Sequence, residues 1–502
     1  MASEQLDQRR LRGENPLGYE PIGKLLLAFS VPSVVSMLVN SIYNIVDQIF
    51  IGQGVGVLGN AATTIAFPVV TIMLAISTMV GSGGCAYASI KMGEGDGEAA
   101  GRTLNNLFVL SILAGLVMTA LGLIFLEPML RAFGAKDTVM PYAKDYTSII
   151  LMGAPFSVLS VTLSNMVRAD GSPRMSMYGI IIGAVLNTIL DPIYIFIFHW
   201  GVRGAAIATI TSQLISAVVL ALYFWKRGTH MRFDRHLMGL RRDLCGRICA
   251  LGISSGITQG VACIMQIVMN NSLKYYGDLS PVGGETAQAA MGIVMKIAMI
   301  LGSICVGIGM GAQAILGFNR GARQFHRVRK TYLIAVITAT VTITAGWVVC
   351  QTVPELILSL FGTGDQNFSD FGVRCMRTYM FGIFCAGFQI VSTSYFQATG
   401  QPLKASLLSM LRQLLLLIPL LLILPTFFGL DGILYAGPIA DISSGVIVAL
   451  FIVPEMLKLG RLMAQEDASR LPNHVFSGGG GQSTGSRRRI RRRQSSRPFY
   501  DF

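Results

Sequence analysis

Two aspartates, Asp47 and Asp191, lie inside long apolar stretches of the chain, where an ionised side chain is costly and marks an ion or substrate path. Asn187 precedes Asp191 by one helical turn, which places both on the same helix face. No Lys or Arg lies deep in the surrounding apolar segments to neutralise the acids. Two close carboxylates in low dielectric cannot both stay ionised, so these residues predict a site for a proton or for Na⁺.

The composition identifies the elements that must position this site. Of 502 residues, 52% are hydrophobic and only 13% are charged, with a net charge of +14. Soluble domains carry roughly 25% charged residues. The composition therefore excludes a soluble multidomain protein, a disordered chain, a coiled coil and a disulfide-rich scaffold, and it predicts an all-α polytopic membrane protein.

Twelve apolar runs are long enough to cross a bilayer as helices. They are numbered here as spans 1 to 12 and cover about 25–51, 61–90, 104–126, 146–167, 176–198, 204–225, 248–273, 287–316, 331–353, 375–396, 405–427 and 433–457. At about 1.5 Å per residue, Asp47, Asn187, Asp191 and Thr209 fall in one layer near the outer ends of spans 1, 5 and 6.

The distribution of Lys and Arg gives the orientation. With the N-terminus in the cytoplasm, the inside segments hold 31 basic residues against 7 outside, and still 21 without the C-terminal tail. Both termini are expected in the cytoplasm, in a plasma (inner) membrane. Residues 1–20 are polar and span 1 is full length, so no cleavable signal peptide is expected. The eight Cys indicate neither disulfides nor a metal site.

An internal repeat divides the chain into two halves of six spans. Phe133-Gly134 recurs as Phe361-Gly362, and 168–173 recurs as 397–402. We predict a segment 1–24, an N-terminal lobe 25–225, a linker 226–247, a C-terminal lobe 248–457 and a basic flexible tail 458–502. Transporters often place the substrate site between such repeats.

Several motifs of the chain resemble the multidrug and toxic compound extrusion (MATE) family, in its bacterial DinF/MepA-like branch. They are Pro32 with Tyr43-x3-Asp47 and Ile51-Gly52, Glu127-Pro128-Met129-Leu130, Ala169-x-Gly171-x-Pro173-Arg174, Asn187-x3-Asp191-Pro192, Gly201-x2-Gly204-Ala205-Ala206-x-Ala208-Thr209, and Arg412-Gln413 with Pro419. The resemblance covers residues 20–457 and leaves out the tail.

This resemblance implies a secondary exporter with two six-helix lobes around a central cavity. Asp47, Asn187, Asp191 and Thr209 match the family's cation-coupling positions, and Pro32 matches a bending point of span 1. The implied activity is export of lipophilic, often cationic small molecules against entry of H⁺ or Na⁺. The alternative is a flippase for lipid-linked or polysaccharide intermediates, although the acidic N-terminal half disfavours a cavity for pyrophosphate.

The second half lacks acids at the positions equivalent to Asp47 and Asp191. It carries Lys296 in span 8 and Asp441 in span 12 at similar depths, and we expect them to form an ion pair. The alternative is that Lys296 repels cations or senses the substrate in the cavity. Arg412 is expected near the cytoplasmic face, with its guanidinium extended to the membrane surface.

Helical spacing places Asn40 and Tyr43 on the cavity side of span 1, and Gln266 and Gln389 could line the opposite lobe. No enzyme is expected, because the His residues lie in loops or at span ends and no P-loop occurs. No cofactor is expected beyond the coupling ion. Small-molecule drugs or metabolites and membrane lipid are the expected partners. The Arg-rich tail is assigned to anionic lipid rather than to nucleic acid, and the protein is expected to be monomeric.

Overall fold

The computed structural model describes residues 15–226, 228–359 and 366–470, and within these ranges the chain is helical. Ten helices in the described part are long and apolar enough to cross a membrane. An eleventh span results when Met140–Met152 and Ala154–Ala169, which meet at 49°, are taken together. We number the helices α1 to α12 after the spans that they form.

In the first half α1 is Ile22–Val55, α2 is Val57–Gly93 and α3 is Gly97–Ile124. A short helix, Leu126–Ala132, follows before the two parts of α4, Met140–Met152 and Ala154–Ala169. Helix α5 is Pro173–Pro192, extended by a π-helical turn at Ile193–Ile197, and α6 is Gly201–Lys226.

In the second half α7 is Arg242–Asp278, α8 is Gly284–Gly321 and α9 is Phe325–Thr352, followed by a short helix at Pro354–Ser359. Helix α10 has two parts, Gln366–Tyr379 and Phe384–Ala398. Helix α11 is Pro402–Met410 and Ile418–Phe428, joined by a π-helical segment at Leu411–Leu417. Helix α12 is Leu430–Arg470, so the start of the predicted flexible tail is helical. The Arg run of that tail lies outside the described residues.

The two ends of the bundle are named here for reference. The basic end contains the turns 94–96, 170–172, 322–324 and 399–401, together with residues 228–241 of the linker. The distal end contains the turns 198–200 and 279–283. The largest cluster of buried apolar side chains runs from the N-terminal lobe into the C-terminal lobe. The lobes are therefore packed against each other rather than merely tethered.

Glycines bring the lobes together in the half of the bundle next to the basic end. A Cβ on Gly252 of α7 would overlap the carbonyl oxygen of Met79 on α2, and one on Gly83 would overlap that of Ile248. On the other seam, a Cβ on Gly307 of α8 would lie 2.6 Å from the Cα of Val34 on α1. Backbone therefore packs on backbone across both seams, which only glycine permits.

Polar contacts reinforce the same region. Gln397 Nε2, on α10, donates to Ser82 Oγ of α2 at 2.9 Å and to the carbonyl oxygen of Leu251 at 2.9 Å. Gln313 Nε2 of α8 donates to the carbonyl oxygen of Ser82 at 3.0 Å. These amides satisfy groups that close packing removes from solvent and lipid.

The segment before α1 crosses to the C-terminal lobe at the basic end. Leu17 is 1% exposed, and Arg327 of α9 donates to the carbonyl oxygens of Leu17 at 2.9 Å and Glu20 at 2.8 Å. Asn319 Nδ2 of α8 also donates to the carbonyl oxygen of Leu17, at 3.1 Å. The basic end is thus closed in this conformation.

The linker between the lobes is bound to the N-terminal lobe. The buried Asp170 carboxylate accepts the backbone N–H groups of Thr229, His230 and Met231, each at 2.8 Å. Farther along, Asn106 Nδ2 of α3 donates to the carbonyl oxygen of Gly239 at 2.5 Å. Asp170 therefore has a structural role. From the sequence, it was known only as part of the repeated segment 168–173.

A methyl group on the seam should destabilise this packing. We expect Gly252→Ala to lower the free energy of unfolding by about 1–3 kcal/mol, because its Cβ overlaps backbone and cannot be relieved by a rotamer change. Gly260→Ala on the same helix is the control, since nothing lies within 4 Å of its Cβ. Thermal melting of both purified variants checks this, and equal melting temperatures would contradict it.

Candidate functional site

The predicted acid site forms where α1, α5 and α6 meet. Asp191 is 0% exposed and Asp47 is 6% exposed, and their carboxyl groups lie close enough to interact directly. Asn187 Nδ2 donates to Asp191 Oδ1 at 3.3 Å and to Thr209 Oγ1 at 3.3 Å. The structure thus brings together the four residues that the sequence placed in one layer.

Three acceptor oxygens of this cluster are left over. Asp47 Oδ1, Asp191 Oδ2 and Asn187 Oδ1 are buried and have no hydrogen-bond partner among the described residues. A buried acceptor without a partner costs free energy, and a buried pair of carboxylates costs much more. A proton shared by the two acids, or a cation held by these oxygens, would remove that cost.

Two tyrosines complete the surroundings of the acids. The Tyr43 side chain lies next to Thr209, Asp47 and Asp191, so Tyr43 belongs to the acid cluster rather than to an open wall. The buried Tyr146 of α4 lies within electrostatic range of both aspartates. Sequence reasoning missed Tyr146, although its position at the outer start of span 4 was a usable signal.

The helix that carries Asp191 departs from regular geometry directly after it. Pro192 cannot donate a backbone hydrogen bond, and the π-helical turn Ile193–Ile197 follows. Turns of this kind inside helices are frequent at functional sites because they redirect side chains. Gly54 of α1 lets this turn pack closely, since a Cβ there would overlap Ile195.

Toward the distal end, helices on the two seams between the lobes carry exposed polar residues. On α1, Ser41 contacts Ser303 of α8 at 3.1 Å, but Gln48, two turns farther along the same face, is exposed. On the second seam Asn270 of α7 is likewise exposed. Exposed side-chain amides at these positions indicate a water-filled cleft, because lipid would leave their N–H groups, which no described residue accepts, without a partner.

Apart from Tyr43, the predicted cavity residues have different surroundings. Asn40 is exposed, and Gln266 Nε2 donates to Asn270 Oδ1 at 3.1 Å on α7. Gln389 is 6% exposed and accepts a hydrogen bond from Ser444 at 3.2 Å, which leaves little of it for a substrate to reach. Asn44, Gln48 and Asn270 also face the cleft and were not predicted.

Pro32, the predicted bending point, is buried within α1, which continues as one helix from Ile22 to Val55. Its carbonyl oxygen accepts a hydrogen bond from Ser36 Oγ at 2.8 Å. The ring removes one backbone hydrogen bond from the helix. Its role as a hinge stays a prediction.

The predicted ion pair between Lys296 and Asp441 is wrong for this conformation. Asp441 is 2% exposed and its Oδ1 accepts a hydrogen bond from Nε of Arg412 on α11. Lys296 is exposed. The expectation that the Arg412 guanidinium reaches the membrane surface is therefore also wrong.

Two local features explain this difference. Helix α11 begins at Pro402, so Arg412 lies about 15 Å into the helix, deeper than the predicted span suggested. Arg412 also lies in the π-helical segment Leu411–Leu417, which shifts the register of the helix face. Neither feature is visible in the hydropathy of the chain.

Replacing only the arginine of the Arg412–Asp441 pair by a neutral residue should lower the free energy of unfolding. Arg412→Met leaves Asp441 buried without a partner, and we expect a loss of about 3–5 kcal/mol in the free energy of unfolding. The double variant Arg412→Met/Asp441→Leu should recover most of this loss, and Lys296→Met should be close to wild type. Thermal melting of the three variants checks this, and a melting temperature lowered most by Lys296→Met would contradict it.

Comparison with known proteins identifies the scaffold. The chain matches the MatE family profile over residues 32–193 and 261–423, which together make up most of both lobes. This chain belongs to the MATE family. It is therefore a multi-pass membrane transporter and not an enzyme, and its two six-helix lobes follow the MATE fold.

Individual MATE relatives agree with this assignment. The multidrug export protein MepA of Staphylococcus aureus (strain MSSA476) is 26% identical over 433 residues, covering 86% of this chain and 94% of MepA. MepA of Staphylococcus haemolyticus is 26% identical over 432 residues, 86% and 93% of the two chains.

Solved MATE structures share the fold. An outward-facing multidrug resistance MATE transporter superposes with a TM-score of 0.82 at 23% identity, over 89% of this chain and 97% of that one. A Pyrococcus furiosus transporter, described as having a binding pocket of reversed polarity, gives 0.82 at 23% identity, over 89% and 98%.

The acid site of this MATE chain should bind one proton or one cation that a neutralised variant does not. We expect Asp47→Asn to lose the sodium-sensitive or proton-titrating group of the site, because a single carboxyl can stay neutral there by itself. Potentiometric titration of the purified protein at low and high Na⁺ checks this. Asp137→Asn, in an exposed turn, is the control, and unchanged titration of Asp47→Asn would contradict the assignment.

Proposed function

We propose that the chain exports lipophilic small molecules from the cytoplasm by alternating access, driven by inward movement of H⁺ or Na⁺. The observation that carries this proposal is the set of three unpartnered oxygens on Asp47, Asp191 and Asn187, which calls for a mobile positive charge. The role of these residues in coupling is part of the proposal.

Helix α1 links the ion site to the cleft. The half of α1 next to the distal end carries Tyr43 and Asp47 in the acid cluster. In the half next to the basic end, Ser30 and Val34 pack on glycines of α8. A change of charge at Asp47 therefore acts on a helix that both lobes share. Binding of the ion would favour one position of α1, and departure of the ion would favour the other.

The conformation described here fits one stage of such a cycle. The basic end is closed by glycine contacts and by the Arg327 hydrogen bonds, and the cleft opens at the distal end. With the termini in the cytoplasm of a bacterial inner membrane, as the excess of basic residues predicts, this is the outward-open state. Substrate would leave from it, and the ion would enter.

The relatives support export as the direction of transport, since MepA is named a multidrug export protein. The walls of the cleft are apolar with amides such as Asn40 and Asn270, which suits lipophilic compounds held with few geometric demands. We propose that the protein works as a monomer in contact with lipid, without a cofactor other than the coupling ion and without nucleic acid.

A reconstituted system tests the proposal. In proteoliposomes, an imposed proton gradient or an imposed Na⁺ gradient should drive movement of a fluorescent lipophilic dye. Asp47→Asn at equal incorporation should reduce the driven rate about tenfold or more, because each 1.4 kcal/mol of lost coupling changes an equilibrium tenfold. Asp137→Asn serves as the matched control and should transport like wild type.

The two gradients are applied separately, so the active one identifies the ion. Dye movement in wild type that is equally fast in Asp47→Asn would refute the role of the acid pair. Absence of driven movement under either gradient, for a panel of dyes, would refute ion-coupled export.

A further inference from the structure

The position of Lys296 follows from the register of the seam between α1 and α8. Three successive contacts join these antiparallel helices, namely Ser30 with Gly311, Val34 with Gly307 and Ser41 with Ser303. Residues 311, 307 and 303 therefore lie on the face of α8 that points at α1. A further step of seven residues toward the distal end, two helical turns, reaches Lys296 on that same face.

The matching step on α1 leads to a defined place on the other lobe. Seven residues beyond Ser41 is Gln48, the neighbour of Asp47. Gln48 and Lys296 are both exposed, and Gln48 Oε1 accepts a hydrogen bond from Thr63 at 3.2 Å within its own lobe. Gln48 and Lys296 therefore lie two helical turns beyond the Ser41–Ser303 contact, on the faces of α1 and α8 that carry it, and Gln48 adjoins the acid site.

The charge of Lys296 is available to a ligand. Its predicted partner Asp441 is bound by Arg412, and Lys296 forms no ion pair within the described residues. Asp47 and Asp191 are buried inside the other lobe and in contact with each other. An exposed ammonium on an otherwise apolar and amide-bearing wall is a recognition element for an anion, because a hydrogen bond between two charged groups is stronger than one between neutral groups.

Amide donors on the same wall extend this site. Gln266 and Asn270 on α7 form a hydrogen-bonded pair, and Gln288 Nε2 of α8 donates to the carbonyl oxygen of Asn270 at 2.9 Å. Asn270 and Gln288 lie nearer the distal end than Lys296, and Gln266 lies at about the same depth as Lys296. A wall with one cation and several amides suits a carboxylate, sulfonate or phosphate attached to an apolar body.

We propose that Lys296 is a specificity-determining residue that binds the anionic group of an amphiphilic substrate in the cleft. This inference rests on the proposed export function and narrows its substrate class to anionic and zwitterionic lipophiles. Purely cationic compounds are disfavoured in this state by repulsion from Lys296.

Equilibrium binding to the purified full-length protein tests the inference without any ion gradient. Two dyes with the same xanthene core are compared by fluorescence anisotropy, the anionic carboxyfluorescein and the cationic rhodamine 6G. We expect Lys296→Gln to weaken binding of carboxyfluorescein about tenfold, a factor that corresponds to ~1.4 kcal/mol. Lys296→Glu should weaken it further and should strengthen binding of rhodamine 6G.

Matched variants separate recognition from a structural effect. Lys274→Gln, which removes an exposed lysine at the distal end of α7, should leave both dyes unaffected. Lys296→Arg should retain binding of the anionic dye. Equal affinity of carboxyfluorescein for wild type and Lys296→Glu would overturn the inference, as would tighter binding of rhodamine 6G than of carboxyfluorescein to wild type.

The anionic group could belong to a soluble amphiphile or to a lipid-linked phosphate, and a competition experiment distinguishes them. Farnesyl diphosphate is added to wild type and to Lys296→Gln, each with bound carboxyfluorescein. If it displaces the dye from wild type but not the residual dye from Lys296→Gln, the site binds a lipid-linked phosphate. Failure to compete, with Lys296-dependent binding of the dye retained, would assign it to soluble amphiphiles. The test of ion-coupled export depends on Asp47 and not on Lys296, so its outcome is independent of both results.

Discussion

Backbone-to-backbone packing at glycines is the constraint on which the arrangement of the two lobes depends. Gly83, Gly252 and Gly307 allow helices of different lobes to approach more closely than any side chain would permit. Because this contact is confined to the half of the bundle next to the basic end, the lobes diverge in the other half. The cleft is thus a direct geometric result of where the glycines stop.

The lobes solve the same electrostatic problem in two ways. Each lobe buries at least one carboxylate where a charge without a partner would cost much free energy. The C-terminal lobe neutralises Asp441 with Arg412, a cation that is covalently part of the chain. Among the described residues no Lys or Arg pairs with Asp47 or Asp191. In the proposed function a proton or Na⁺ that binds and leaves supplies the compensation there, whereas the compensation of Asp441 is fixed.

Much of this organisation could be predicted from the sequence. Apolar runs of bilayer length gave the spans, the repeat gave two lobes, and helical spacing brought Asn187 to Asp191. These features depend on local periodicity, which the chain displays directly. The roles of the acid-site residues and the domain boundaries stay predictions.

The features that the sequence analysis placed wrongly or missed depend on tertiary geometry. The partner of Asp441 was misassigned because a π-helical segment turns Arg412 inward, and no pattern of hydropathy reports such a segment. Gln389 was placed on an open wall because spacing along a helix does not reveal what packs on it. Tyr146 joins the acid cluster through the bend of α4, which is also a feature of the folded bundle.

The attachment of the linker to the N-terminal lobe limits how the lobes can move. The backbone N–H groups of residues 229–231 donate hydrogen bonds to Asp170, and Asn106 binds both the Gly239 carbonyl oxygen and the Cys245 side chain. Only the few residues between those last two points are left to act as a pivot. A pivot so short permits rotation and forbids separation, and it contributes almost no chain entropy to either state. In the proposed alternating-access cycle, the balance between open and closed forms would then be set by the faces that meet, and hardly at all by the linker that joins the lobes.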